Sequence, residues 1–502
     1  MLAERISFRF GQISLDRYFI DTALIAVFVF LNSIFARVPV ITLVLGAVET
    51  LFLLYVLFLG SISSLAVTVL VLLSANIENP GFALGNRDAV FYSVFHLPYV
   101  KSYLLLGIML LAMARCFWHF CCPPFSRQTG FDRFYFMNLF LAVSAVPMVF
   151  LVLACNDNGM MAHTDMWRYV ARDGYQMIHA VSVLTLVYVC MKKDAGFAGR
   201  LKNIAAAVLS GTSWAAAALA LCGNYYSMWG DEFYITCPLI LFFAPGLILF
   251  LDEKHGWFHL LTGCMALLLQ VRFTVGIAGT WWVYILLLLP AFFRKAISLG
   301  GPVKKLPVRL ACLAVAAAAG CYVLQSGMLH QVSGQVSYKL ASILDIFRGE
   351  GSLAEKFMGA GDSVRMRVEE IINAGLELLK KPYFLPFGKG FGGTVTRHWG
   401  LSDWNVPGST FSDVMIHYRT YSHFHISIAE IIINYGLAGV VLIVFLVKKF
   451  CLEYLAKDGN AWLVLGILWF VFFYSLYYSM NAGLAWICIG LYEKYDKDRS
   501  FS

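Results

Sequence analysis

Long runs of apolar residues dominate the chain, and residues 19–35 and 261–271 are examples. Such runs approach the length that a helix needs to cross the hydrocarbon core of a bilayer. Every backbone amide in hydrocarbon must be hydrogen-bonded within the protein, and a helix achieves this locally. The runs do not alternate between apolar and polar residues, as the strands of a membrane barrel must. The pattern predicts an all-α polytopic membrane protein.

Composition supports this prediction and argues against a soluble globular domain. Of the 502 residues, 60% are hydrophobic and only 14% are charged, and the mean hydropathy is +0.72. Soluble domains carry about 25% charged residues. The net charge of +8 gathers in short connectors between apolar runs, a distribution that indicates membrane orientation and no nucleic-acid partner.

Lysine and arginine are retained on the cytoplasmic side of membrane proteins. All the basic connectors can lie in the cytoplasm if the apolar stretches between them come in pairs. This requirement predicts fourteen spans with both termini inside, although two weak pairs leave twelve or thirteen as alternatives. The predicted spans are about 18–36, 40–59, 60–75, 99–115, 136–155, 174–191, 203–222, 233–251, 257–271, 273–293, 308–325, 422–447, 460–476 and 478–492.

The predicted topology divides the chain into three parts. Residues 1–325 form an N-terminal bundle of transmembrane helices, residues 326–421 form one large periplasmic loop containing helices, and residues 422–502 form the C-terminal transmembrane helices. Loops of this length are usually functional or disordered. The glycine turns, aromatic residues and helical pattern of this loop favour a functional one. Arg272 is placed at an external helix end.

Within the loop, the segment from Val364 to Lys381 has its apolar residues at helical spacing. Pro382 is expected to stop this helix. Arg365 and Arg367 flank the apolar stripe, which we expect to be the buried face, and Glu377 lies opposite it. An arginine in this position is a good hydrogen-bond donor to a phosphate group, because its planar guanidinium offers two parallel charged hydrogen bonds. The alternative is a pair of solvated arginines.

A glycine-rich turn follows, with Gly388 and Gly390 on either side of Lys389. Glycines so spaced permit tight turns and close approach of a ligand to backbone amides. A loop turn without a binding role is the alternative interpretation of these glycines. No strand clearly precedes the turn and no helix clearly follows it, so a dinucleotide-binding fingerprint is not supported.

His423 and His425 lie at the external end of the predicted span 422–447. Histidine titrates near neutral pH and is a natural general base for activating a hydroxyl. A histidine at the membrane interface without a catalytic role is the alternative. Asp413 and His417 are near in sequence, but no cysteine or helical pair of histidines supports a metal site.

Together these residues resemble the O-antigen ligase and polymerase superfamily of bacterial envelope enzymes. Its pattern has an arginine at an external helix end, then an external arginine, about fourteen residues, a proline and a Gly-x-Gly turn, and finally a histidine with two glycines after it. Ile426 stands where the family usually has an amide or hydroxyl residue, and the turn after the proline is longer. The matching residues here are Arg272, Arg367, Pro382, Gly388, Gly390, His425, Gly436 and Gly439.

The resemblance implies transfer of a glycan from an undecaprenyl-pyrophosphate carrier to a sugar hydroxyl, without metal or other cofactor. Transfer is expected at the periplasmic face of the bacterial inner membrane. The implied catalytic residues are His425, Arg367 and Arg272, with His423 as the alternative to His425. The implied substrate-binding residues are Arg365, His423, Gly388, Gly390 and Tyr421.

Fourteen spans and Ile426 favour a polymerase over a ligase that joins the glycan to a lipid-core acceptor. Membrane lipids and a chain-length regulator are the further partners expected. A transporter of lipid-linked sugars is the rival class, and such proteins usually use broken helices near the bilayer midplane. Tyr421, Trp399 and Trp404 are candidates for stacking on sugar rings, with interfacial anchoring as the alternative for the tryptophans.

Overall fold

In the computed structural model of the protein, 84% of the described residues are helical. The described residues are 9–10, 13–14, 17–35, 39–75, 101–120, 130–155, 157, 164–193, 197–221, 227–229, 232–234, 258, 261–262, 362–400, 404, 413–422, 424, 426–446 and 448.

The described part of the chain contains ten α-helices, one short 3-10 helix (Pro382–Phe384) and three short antiparallel strand pairs. The helices are α1 (Arg17–Phe35), α2 (Pro39–Phe58), α3 (Ile62–Ala75), α4 (Lys101–Phe120), α5 (Gly130–Ala154), α6 (Thr164–Lys193), α7 (Phe197–Leu221), α8 (Asp362–Lys380), α9 (Asp413–Tyr418) and α10 (Ser427–Leu446). The antiparallel pairs are β1 (Arg9–Phe10) with β2 (Ile13–Ser14), β3 (Ser227–Trp229) with β4 (Glu232–Tyr234), and β5 (Val395–Thr396) with β6 (Thr420–Tyr421).

Eight of the predicted spans fall on described residues, and each coincides with one of the helices α1 to α7 or α10. The predicted span 233–251 begins within strand β4, and its remainder lies outside the described residues. The predicted spans between 257 and 325, and those after 459, also lie almost entirely outside them. The helix predicted in the loop is confirmed as α8, and a short 3-10 helix begins at Pro382.

Two described helices are long and apolar enough to cross a membrane. These are the part of α5 from Tyr135 to Ala154, with a mean hydropathy of 2.3, and the part of α10 from Ser427 to Phe445, with a mean hydropathy of 2.2. Only 28% of the most apolar stretch of α5 is buried within the protein. These features support membrane association of the chain.

Helix α10 is interrupted at Gly436, whose φ of 57° and ψ of −141° are not helical. Residues 385–390 insert into this break. The backbone N–H of Lys389 donates to the Ile433 oxygen at 2.7 Å, and that of Gly390 donates to the Asn434 oxygen at 3.0 Å. In return, the N–H groups of Leu437 and Ala438 donate to the oxygens of Leu385 and Pro386, at 2.9 and 3.1 Å. The loop therefore replaces the hydrogen bonds that the helix loses.

A hydrophobic core joins α8 to α10 and places the loop between them. Ala374 and Leu378 of α8 are buried in one cluster with Ala429 and Ile433 of α10. The same cluster contains Phe384, Val395, Trp404, Met415, Tyr421, Phe424 and Ile426. The described residues from α8 to the start of α10 therefore pack in one core against the end of α5.

Substitution of Gly436 by alanine should destabilise the protein. A β-carbon there would lie 2.4 Å from the Leu385 oxygen and 2.5 Å from the Gly388 nitrogen, and positive φ costs other residues about 1–2 kcal/mol. We expect Gly436→Ala to lower the free energy of unfolding by about 2 kcal/mol or more, seen as a lower thermal unfolding midpoint of detergent-purified protein. Gly375→Ala is the matched control, because a β-carbon at this helical position meets nothing within 4 Å. Equal midpoints for both variants would contradict the assigned role of the break.

Candidate functional site

Helix α8 turns its polar side inward. Glu369, Glu370, Asn373 and Glu377 are each fully buried, whereas Leu379 is 65% exposed. The expectation that the apolar stripe of this helix is its buried face is therefore wrong, since the described residues of that stripe are half-buried or exposed. The reason is that the polar side chains find partners inside the fold.

Glu377 is the centre of a buried ionic cluster. Its Oε1 accepts hydrogen bonds from the ammonium groups of Lys381 at 2.7 Å and Lys389 at 2.6 Å. Its Oε2 accepts from the Thr396 backbone N–H at 3.2 Å and lies 2.5 Å from His398 Nε2. Both carboxylate oxygens are therefore saturated.

Asp157, just beyond the end of α5, is the second carboxylate of the cluster. Its Oδ2 lies 2.8 Å from Lys389 Nζ, and its Oδ1 accepts a hydrogen bond from Lys381. The side chain of Lys389 is 1% exposed. Two lysines thus balance two carboxylates, which is what burial of charges requires, because an isolated buried charge is strongly destabilising. The cluster fastens the loop of 385–390 to the end of α5.

The pKa values of the cluster reflect these contacts. Burial alone would raise the pKa of Glu377, but the charges and hydrogen bonds of Lys389 and Lys381 outweigh it and lower the pKa from 4.5 to about 2. Burial opposes the charge of Lys381, but Asp157 and Glu377 raise its pKa above the ordinary 10.5. Glu377 is therefore ionised throughout the physiological pH range.

The side chain of Asn373 holds the backbone of His398 and Trp399 in place. Its Oδ1 accepts from the N–H groups of His398 at 2.7 Å and Trp399 at 2.9 Å, and its Nδ2 donates to the Trp399 oxygen at 2.6 Å. The two ring nitrogens of His398 have different neighbours. Nε2 contacts the ionised Glu377, and Nδ1 lies 2.8 Å from Lys380 Nζ. A carboxylate-oriented imidazole can transfer protons, and this one lies at the edge of the cluster with 14% of its side chain exposed.

The glycine turn is packed against the protein's own backbone. A β-carbon at Gly388 would lie 2.4 Å from the Asn434 carbonyl carbon, and one at Gly390 would lie 2.4 Å from the Ala145 oxygen. Farther along, the Gly392 N–H donates to Asp173 of α6 at 2.8 Å. The glycines therefore allow the loop backbone to approach helices α5 and α10 closely, where the sequence led us to expect a ligand. Substrate binding by Gly388 and Gly390 stays a prediction.

The other predicted substrate contacts lie in different surroundings. Arg365 and Arg367 are half-buried in the N-terminal half of α8. Tyr421 is 1% exposed and packs edge-on against the buried Trp404, with ring centroids 4.9 Å apart, so neither ring offers a free face to a sugar. Trp399, in contrast, is 41% exposed.

Three predicted site residues, Arg272, His423 and His425, lie outside the described residues. Those on either side of His425 are described: Phe424 and Ile426 are each 1% exposed and belong to the core that contains Ala374 and Leu378 of α8. The chain segment that carries His425 is therefore tied to the helix that carries Arg367.

The ionic cluster was missed as a site by sequence reasoning. One local signal was present, since Glu377 and Lys381 are four residues apart on a helix and form an ion pair. A lysine between two glycines was a second signal, because Lys389 is charged in an otherwise small and apolar turn. No local pattern pointed to Asp157 or His398.

Comparison of the chain with protein-family models, curated proteins and solved structures gives no match.

Replacing Lys389 should destabilise the fold strongly. Lys389→Met leaves Glu377 and Asp157 buried with one lysine between them, and removing one partner of a buried ion pair costs about 3–5 kcal/mol. The measurement is the thermal unfolding midpoint. Lys380→Met is the matched control, because Lys380 is exposed, and we expect little change from it. The added substitution Glu377→Gln should restore part of the loss. No loss in Lys389→Met would mean that the cluster does not anchor the loop.

Acid should weaken the protein through Glu377. Because its folded pKa is lowered from 4.5 to about 2, its contribution to stability is complete above about pH 4.5 and is lost as the pH falls towards 2. Unfolding midpoints measured across this window should fall less steeply for Glu377→Gln than for the parent protein. Parallel curves for the two proteins would show that Glu377 is not the group responsible.

Proposed function

We propose that this protein is a membrane glycan polymerase. It transfers an oligosaccharide from an undecaprenyl-pyrophosphate carrier to a sugar hydroxyl at the periplasmic face of a bacterial inner membrane. The proposal rests on the resemblance of its arginine, glycine and histidine pattern to the O-antigen ligase and polymerase superfamily. The donor, the glycan acceptor and the surrounding lipids are its partners, and a chain-length regulator is a further one.

One structural observation supports the proposal above the others. Helix α8, which carries Arg365 and Arg367, packs in one core with Phe424 and Ile426, which flank His425. These residues are more than fifty positions apart in the sequence. A transferase of this kind needs cationic groups and a base held on one frame, and the common core provides such a frame.

Contacts between distant segments also agree with the predicted sidedness. Asp157 follows a span predicted to end outside, and it bonds to Lys381 of the predicted external loop. At the predicted cytoplasmic ends, Arg115 of α4 donates to the backbone oxygens of Val56, Leu57 and Gly60 near the end of α2. Both sets of contacts join segments predicted to lie on the same side of the membrane.

In the proposed reaction, His425 accepts the proton of the acceptor hydroxyl. The hydroxyl oxygen attacks the anomeric carbon of the lipid-linked sugar, and the bond from that carbon to the diphosphate breaks with both electrons leaving on the diphosphate oxygen. Arg367 and Arg272, with Arg365 beside them, stabilise the departing negative charge. His423 completes the predicted substrate contacts, whereas Tyr421 is buried against Trp404.

A ligase is the alternative within the same chemistry. It would use the same donor and the same residues, and the acceptor would be a lipid core in place of a growing glycan. The two are distinguished by the acceptor that becomes labelled when labelled donor is supplied.

A transporter of lipid-linked sugars is the second candidate class, and the break in α10 favours it, since transporters use interrupted helices at their binding sites. In this chain, however, residues 385–390 hydrogen-bond to the carbonyl and N–H groups that the break exposes at Ile433, Asn434, Leu437 and Ala438. Those groups are therefore not available to a cargo. A transporter would move the lipid without making a new glycosidic bond.

Purified protein incubated with lipid-pyrophosphate-linked glycan and acceptor should form a new glycosidic product. We expect His425→Ala to lower the rate by about a hundredfold or more, and Arg367→Ala to lower it by a similar factor. His417→Ala is the matched control, because His417 is an exposed histidine of the short helix α9, and its rate should match the parent.

Two results would overturn specific parts of the proposal. Movement of the lipid across the membrane without a new glycosidic product would show that the protein is a transporter and not a transferase. Full activity of His425→Ala together with loss of activity in His423→Ala would move the base to the other histidine. Folding of each variant is checked by its elution profile, so that loss of product reports on chemistry.

A further inference from the structure

We propose that residues 385–390 form a re-entrant loop that lies at hydrocarbon depth, and that Phe387 faces the acyl chains of bilayer lipids. The inference rests on α5 and α10 crossing the membrane. It does not depend on the proposed glycan transfer.

The depth of the loop follows from its contacts with α5. Gly390 lies against Ala145 and Val149, and the Phe387 ring packs on Phe140 with centroids 5.8 Å apart. The apolar stretch of α5 runs from Tyr135 to Ala154. At about 1.5 Å per residue, Ala145 is roughly 14 Å and Phe140 roughly 21 Å below the end of the helix. The tip of the loop therefore reaches the middle of the span.

Contacts with α10 give the same depth independently. The loop bonds to Ile433, Asn434, Leu437 and Ala438, which lie in the centre of the apolar stretch from Ser427 to Phe445. Two helices of opposite chain direction thus place residues 385–390 at the middle of their apolar stretches.

The hydrogen bonds of the loop suit a water-free environment. Irregular backbone is tolerated at membrane depth only when its polar groups are paired within the protein. The N–H groups of Leu385, Gly388, Lys389 and Gly390 all donate to backbone oxygens, and the oxygens of Leu385 and Pro386 accept from α10. Pro386 has no N–H to satisfy.

The Phe387 ring adjoins the exposed apolar side of α5. Phe387 is 37% exposed, and Phe140 and Val143 of α5 are 53% and 63% exposed. Because the Phe387 ring packs on Phe140, it belongs to the same apolar surface, and a surface beside a spanning helix is covered by lipid.

Photo-crosslinking in native membranes tests the proposal directly. The photoreactive residue p-benzoyl-phenylalanine is placed at Phe387 of the full chain, and adducts are identified by mass spectrometry after illumination. We expect covalent phospholipid adducts at this position. Thr396 is the control position and should give none, because it is exposed and its N–H bonds to Glu377, in the ionic cluster with Asp157 just beyond the end of α5.

Two outcomes would overturn the proposal. Absence of lipid adducts at Phe387, with the reagent intact, would place the loop in water. Crosslinks from Phe387 to a second copy of the chain, without lipid adducts, would make the surface a protein interface. Neither result bears on glycan transfer, which is assayed separately.

Charge substitution supplies a second test in the same membranes. Phe387→Glu puts a carboxylate among acyl chains, so we expect the yield of folded, membrane-extracted protein to fall by about tenfold or more. Thr396→Glu, the matched substitution at an exposed position, should leave the yield unchanged. Equal yields for the two variants would contradict hydrocarbon depth for Phe387.

Discussion

The exchange of backbone hydrogen bonds between residues 385–390 and the break in α10 is the constraint on which the other features depend. In an unbroken helix Leu437 and Ala438 would donate to Ile433 and Asn434. Here the loop supplies both the donors and the acceptors. A buried backbone group without a hydrogen bond is costly, so the broken helix and the inserted loop stabilise each other. Gly436 permits the arrangement because its φ of 57° suits glycine.

The ionic cluster explains why α8 lies as it does. Lys389 belongs to the inserted loop, and its ammonium group must find carboxylates once it is buried. Glu377 from α8 and Asp157 from the end of α5 provide them. With its carboxylates turned inward, α8 turns Leu379 outward, where it is 65% exposed. One set of charges therefore determines both the anchoring of the loop and the side of α8 that is buried.

The proposed glycan transfer depends on this packing of α8, the inserted loop and α10. The segment around His425 and the helix that carries Arg367 share a core with Ala374 and Leu378, so their relative position depends on the same packing that holds the loop. A rigid frame suits transfer to a hydroxyl, which depends on placing base and cation within narrow limits. It also assigns a structural purpose to the helix break, which in a transporter would be left open for cargo.

Among the described residues, the sequence by itself determined helices α1 to α8 and α10, because runs of apolar residues and a helix-stopping proline such as Pro382 are local signals. It did not predict α9, and α6 begins ten residues before its predicted span. It also drew attention to Gly388, Gly390 and Gly436, although their packing against α5 and α10 could not be foreseen. Only the tertiary structure decided which side of α8 is buried, since Glu377 becomes an inward residue through partners far along the chain. Asp157 and Lys381 are 224 positions apart, and periodicity within one helix carries no information about a partner at that separation.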